Sequence, residues 1–173
     1  MSARVPWFER RWNFQFPVGC FPDILERLRG TPARAEDAVQ GLDGHLLTRR
    51  EREGTWSIQE NAGHLLDLDG LWSGRLDDFL SGAATLRAAD LSNRTTHEAD
   101  HNGKEIGDLL AALRASRTRL MSRFDSLEDS DFARTARHPR LETPMRLVDM
   151  CVFTADHDDY HLARIRELIG RFA

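Results

Sequence analysis

The chain has little that would hold a small secreted fold together covalently. Its 173 residues include two cysteines, Cys20 and Cys151, too few for a disulfide framework. Reduced thiols in a cytoplasmic protein are the simpler reading. The first residues are basic but carry no apolar stretch of the secretory kind. No run approaches the roughly 18 apolar residues that cross a bilayer. Positive charge is not in excess: the formal net charge is −4, so the electrostatic footprint of a nucleic-acid binder is missing. Strand signals are poor, with one tyrosine and almost no period-two alternation. Repeats and low-complexity segments are absent. So are a glycine-rich phosphate loop, a G-x-S-x-G elbow, a C-x-x-C pair and an H-E-x-x-H helix. What remains is an all-α reading, a soluble single domain over residues 1–173 with one core of its own.

Helical period is strong in four places. Ile24, Leu25 and Leu28 open the first, Gly30-Thr31-Pro32 interrupts it, and Ala35, Ala38, Val39 and Leu42 resume it towards Gly44. Thr31 there reads as a cap with Pro32 in the first turn. The second place begins at a capping box, Ser57 with Glu60 three residues on, and carries Ile58, Leu65, Leu68, Trp72, Leu76 and Phe79. Asn102 and Glu105 read as the cap of a third helix bearing Ile106, Leu109, Leu113, Leu120 and Phe124. Thr143-Pro144 reads as the start of a fourth, running to about Ile169. Residues 82–101 form a long polar connector between the second and third helices, and residues 127–142 a shorter one. Four such helices with one long connection predict a four-helix bundle. The segment 1–20, with Trp7, Trp12, Phe14 and Phe16, reads as an aromatic strap across it.

The fourth helix breaks its own rule. At 100° per residue, Leu147, Met150, Cys151, Leu162, Ile165 and Leu168 share an arc of about 120°. Thr154, Asp158 and His161 project into that arc, and His157 lies at its margin, about 40° from His161. A carboxylate and imidazoles beside a core-facing stripe are costly unless paired or bound to something. His157 and His161, four apart, can share one metal ion, although the spacing alone is weak. His64 points from the second helix towards a seam with a neighbour. Three imidazoles on facing helices would leave an open coordination position, the layout of a catalytic metal site. Alternatively they are satisfied edge or core residues. His97 and His101 repeat the spacing in the aperiodic connector, where the rings need not face together; His101 could help to fix the start of the third helix. His45 and His138 sit among turn residues and suggest no role. Cys151 reads as a small core residue.

Certain residues carry a family likeness. Trp56-Ser57-Ile58-Gln59-Glu60 followed by His64, then Asn93-Arg94-Thr95, Asn102, and Thr143-Pro144-Met145-Arg146-Leu147 leading into His157-x-x-x-His161, resemble the DinB-like superfamily over about residues 20–170. That group includes YfiT-like proteins assigned as metal-dependent hydrolases, mycothiol-dependent maleylpyruvate isomerases and bacillithiol S-transferases. The resemblance implies an up-down-down-up four-helix bundle, often a homodimer. It also implies a divalent metal, zinc or nickel, on His64, His157 and His161. The aromatic segment before Pro22 lies outside the family pattern.

Two functions are compatible with these residues. In one, a metal-dependent enzyme acts on a small molecule, such as a low-molecular-weight thiol, by thiol transfer or hydrolysis; Asp158 would orient a ligand imidazole or serve as a base. Glu60, one turn before His64, is the next carboxylate to consider. In the other, the protein is a non-catalytic metal- or ligand-binding scaffold of a stress response. Four amphipathic helices and an aromatic strap leave apolar surface to cover, which predicts a homodimer. Light scattering at low micromolar concentration that returns the monomer mass of 19.8 kDa would refute it.

Overall fold

The computed structural model describes residues 4–172. The helices are α1 (Phe21–Arg29), α2 (Thr31–Val39), α3 (Gly44–Thr48), α4 (Ile58–Leu80), α5 (Arg94–Glu98), α6 (Ile106–Asp125) and α7 (Leu147–Phe172). The strands β1 (Thr135–Arg137) and β2 (Pro144–Arg146) pair antiparallel. The start of α4 forms as the sequence predicts: the Ser57 hydroxyl accepts from the Glu60 amide, and the Glu60 carboxylate accepts from the Ser57 amide. Among the described residues no helix is long and apolar enough to cross a membrane.

Side-chain pairs fix the helix directions. Along α4 and α6, Asp69 meets Arg117 and Asp77 meets Arg123, so these two run parallel. Along α1–α2 and α7, Arg27 meets Asp156 and Asp37 meets Arg166, again parallel. Arg29 meets Asp125 while Glu36 meets Arg114, so α1–α2 and α6 are antiparallel. The order is therefore up-down-down-up. Two consecutive long helices running parallel force the chain back along the bundle. At 1.5 Å per residue the 23-residue α4 is about 35 Å long, which accounts for the long connector over 81–105.

Several local expectations change. The third helix starts at Ile106, not beside Asn102; His101–Gly103 is a single 3-10 turn, and Asn102 instead accepts from the Ser57 hydroxyl at 2.7 Å. The fourth helix starts at Leu147, because Pro144–Arg146 is drawn into the hairpin with 135–137, whose other edge meets Thr85. The expectation of no strands fails there: three-residue strands are too short to show alternation, and tertiary pairing creates them. The connector contains one short helix, α5, entered through Asn93 at φ 53°. Thr31 does not cap α2; its hydroxyl donates to Asp158 at 2.7 Å.

The core is two apolar zones. One gathers Leu28, Trp72, Leu76, Phe79, Met121, Phe124 and Phe153; the other gathers Ala38, Leu65, Leu113, Ile165 and Leu168. Between them every main helix turns polar at the same level: Thr31, Asp69, Arg117 and Asp158, all buried. Arg117 donates to Asp69 at 2.9 Å, to Asp158 at 2.5 Å and to the Leu28 carbonyl at 3.2 Å. The aromatic strap folds over α7, with Trp7 and Trp12 against Phe153 at 5.0 and 4.7 Å between ring centroids. It covers part of the apolar face that the sequence left to a second copy. Val5, Phe8, Leu80 and Leu91 are the large apolar side chains left exposed among the described residues.

Removing one partner of a buried ion pair strands the other charge, at a cost of about 3–5 kcal/mol. Arg117→Met leaves Asp69 and Asp158 buried without their cation, and is expected to lower the unfolding free energy by about that amount in urea titrations. Asp37→Asn, in an exposed pair with Arg166, should change it by less than about 1 kcal/mol.

Candidate metal centre

His64 projects from α4, and His157 and His161 project from adjacent turns of α7. All three are buried. Their rings meet at centroid distances of 5.3, 4.7 and 4.6 Å. One ligand atom from each lies within 4.8 Å of the others. Such separations allow one divalent ion to reach all three rings after small side-chain adjustments, since zinc–nitrogen bonds are about 2.0–2.1 Å.

Hydrogen bonds fix two of the three tautomers. The Thr96 hydroxyl donates to the Asp67 carboxylate at 2.7 Å, so it must accept from His64 Nδ1–H at 2.9 Å. His64 Nε2 is then the lone-pair nitrogen. Asn61 donates through Nδ2 to the Ser57 carbonyl at 2.7 Å, which leaves its Oδ1 to accept from His161 Nδ1–H at 2.9 Å. His161 Nε2 therefore also carries a free lone pair. His157 Nδ1 has no hydrogen-bond partner among the described residues. Burial is the main cause that pushes His64 and His157 down to about 3 and His161 well below its usual range. Neutral imidazole is the form that binds metal. The donor set thus fits a divalent ion.

The partners of these imidazoles were not legible in the sequence. Thr96 comes from α5, whose five residues carry no apolar period. Asp67 also accepts from His101 Nε2 at 2.9 Å, and burial of its carboxylate is outweighed by these bonds, which hold it below the usual range. The His101 ring lies flat against α4: a Cβ at Gly63 would come within 2.3 Å of it. Asn61 alone left a trace, as an amide on the buried face of a helix start.

His97 and His101 do not act as a pair. His97 is exposed at the rim, while His101 is buried beside Asp67. His101 anchors the turn before α6 from behind α4 and caps nothing. Asp158 is corrected too. It faces the bundle, as expected from its arc, but its Oδ2 is taken by Arg117 and Thr31 and no imidazole bonds it. Oδ2 is thus committed to the Arg117 layer and not to a ligand ring, while Oδ1 is buried without a hydrogen-bond partner among the described residues. Glu60 is taken by Arg50 and its own helix cap. His138, given no role by its turn neighbours, is buried in the wall of the same cavity.

That cavity has a volume of about 680 Å³ and opens between α4, α7, the strap and the long connector. The histidines line one part of it. Trp7, Trp56, Leu68, Trp72 and Phe153 form apolar walls, and Arg75, His138 and Arg140 line a further part. The size suits a small molecule.

Residues 27–165 match the DinB superfamily. The chain belongs to that superfamily. This DinB protein is 28% identical over 159 residues to a Geobacillus kaustophilus protein named "Putative metal-dependent hydrolase", covering 91% of this chain and 88% of that one. Its fold resembles YfiT from Bacillus subtilis, described as a "probable metal-dependent hydrolase with an unusual four-helix bundle topology". That superposition has a TM-score of 0.81 at 21% identity, over 94% of this chain and 93% of that one. A mycothiol-dependent maleylpyruvate isomerase gives a TM-score of 0.66 at 11% identity, over 86% of this chain and 60% of the isomerase. At these identities the superpositions establish the fold.

His138 offers a pH readout apart from the histidine cluster. Burial, with Arg75 and Arg140 beside it, lowers it to about 4 from an ordinary 6.5. The folded form therefore binds this proton less readily than the unfolded chain, and stability present above pH 6.5 is lost as the pH falls towards 4. In urea titrations between pH 7 and 4.5, His138→Gln should show a shallower loss than the wild type. Parallel curves would contradict a buried neutral ring.

Proposed function

We propose that this DinB protein is a divalent-metal-dependent enzyme acting on a small molecule held in the 680 Å³ cavity, with His64, His157 and His161 as the ligands. The observation that carries the reading is the convergence of three buried, neutral imidazoles on one point, two of them with Nδ1–H already committed to Thr96 and Asn61. Three neutral nitrogens leave coordination positions open to a substrate. The curated relative's name agrees with this reading. A bound zinc or nickel ion would supply Lewis acidity there, lowering the pKa of a water or a thiol.

The residues of the chain do the rest. Thr96 and Asn61 hold two rings in the tautomer and orientation that present Nε2. Trp7, Trp56 and Trp72 pack around the imidazoles and exclude water, at 5.0 Å from His157, 4.5 Å from His64 and 5.8 Å from His157 respectively. Asp90 is the one carboxylate among the described residues of the cavity wall, and it is exposed in the connector rather than beside the histidines. A wall so poor in carboxylates favours thiol transfer over hydrolysis, because a thiol that binds a metal loses its proton on ligation. The chemistry of the isomerase with a similar fold, which depends on a low-molecular-weight thiol, is consistent with that preference.

The test is metal analysis of the purified protein followed by thiol-transfer and hydrolase assays with and without chelator. About one divalent ion per chain is expected, lost in His64→Ala and His157→Ala. Thr96→Val should keep the fold and weaken metal affinity by about 10- to 100-fold. A chain that takes up no metal, or keeps equal activity after chelation, would move the histidines to the scaffold reading.

A further inference from the structure

The cavity wall contains cations without counter-ions. Arg4 and Arg164 line it too, but they pair with Glu167 and Glu51. Arg75 is 2% exposed and forms no ion pair among the described residues. Its Nε donates to the Arg87 carbonyl at 3.1 Å, and Asp78, which acts on it through space, is bonded to Arg87 instead. Arg140 has no carboxylate partner there either, and its buried Nη2 has no acceptor. Each guanidinium lies near aromatic rings, Arg75 at 5.4 Å from Trp72, and Arg140 at 5.2 Å from Phe8 and 5.8 Å from Phe153. Contact with a ring satisfies the flat face of a guanidinium and leaves its N–H edge unused.

His138 sharpens the point. The Leu141 amide donates to His138 Nδ1 at 3.1 Å, so Nδ1 is the acceptor and Nε2 carries the ring proton. Nε2 lies 3.3 Å from Arg75 Nη1. Both are then donors, and they face each other with no acceptor between them. Donor facing donor inside a cavity is costly unless something that accepts from both is bound there.

We infer that the Arg75–His138–Arg140 end of the cavity binds a terminal oxyanion, a carboxylate or a phosphate, of the small molecule whose other end reaches the three histidines. An oxyanion would accept from Arg75 Nη1, His138 Nε2 and Arg140 Nη2 together. The spacing suits an elongated ligand. Arg75 follows His64 by 11 residues on α4, three turns on and only about 20° round, so both lie on one face about 16 Å apart along the axis. Leu68 and Trp72 lie between them and offer an apolar middle. The bridging part of this inference rests on the histidines being the reactive end. The anion site stands on its own geometry.

The full chain, freed of metal, is titrated by calorimetry with octanoate, octyl phosphate and the neutral octanamide. Binding of an acid at least about tenfold tighter than the amide is expected. That preference should disappear in Arg75→Gln and in Arg140→Gln. Tighter octanoate assigns the site to carboxylates, and tighter octyl phosphate to phosphates. Equal affinity for acids and amide in the wild type overturns the inference, as does a preference that survives both substitutions. Arg75 is buried, so its variant counts only if its thermal unfolding matches the wild type; Arg140, at a partly exposed position, carries the test otherwise. Zinc uptake by the same samples separates the two readings. An intact acid preference without zinc uptake removes the metal proposal alone, and zinc uptake without acid preference removes the anion site alone.

Discussion

Arg117 is the constraint around which the bundle is arranged. It is 1% exposed, and it donates to carboxylates from α4 and α7 and to a carbonyl from α1. A guanidinium removed from water must find acceptors in a fixed geometry, whereas apolar side chains tolerate sliding. The polar layer therefore specifies where four helices stand against one another, and the apolar zones above and below supply the driving force. Its charge is not balanced: two carboxylates meet one cation, and Asp69 keeps a raised pKa because burial outweighs what Arg117 returns.

The candidate site depends on that registration. Asp158 and His157 are neighbours in sequence, about 100° apart around α7, so that one enters the Arg117 layer and the other the cavity. Asp69 and His64 stand in the same relation on α4, five residues apart. When Arg117 joins Asp69 to Asp158, it also sets the height at which His64 meets His157 and His161. Parallel α4 and α6 then oblige the connector to travel back across the bundle mouth. The same stretch brings Thr96 to His64 and His101 to Asp67. The topology thus delivers the groups that orient an imidazole.

The cavity is polar at its two ends and apolar in the middle. At the histidine end the lone pairs point inward and seek a cation. At the Arg75 end the N–H groups point inward and seek an anion. A ligand recognised by both would be long, amphiphilic and oriented one way, which is how a site built on a rigid bundle obtains specificity from few polar contacts. The strap closes the side of this space by setting Trp7 edge-on to His157, a contact that belongs to this chain's own aromatic segment.

Much was legible in the sequence because helices announce themselves locally. The stripe of α4, its Ser57–Glu60 box and the apolar run of α7 are short-range patterns. His64, His157 and His161 stood out as imidazoles beside stripes where polar groups cost energy. The same reasoning found that Asp158 faces inward but could not name its partner, because Arg117 is 41 residues away and lies on another helix. His138 was hidden by its turn, and α5 and the hairpin by being too short to show a period. By itself the sequence determined the long helices and their buried faces and singled out three histidines, since these follow from local periodicity and the cost of burying polar groups. Only the tertiary structure decided which acceptor each buried donor meets, and so that Asp158 binds Arg117, that Thr96 and Asn61 orient the imidazoles, and that Arg75 and His138 are left facing each other, because those pairings join residues distant in the chain.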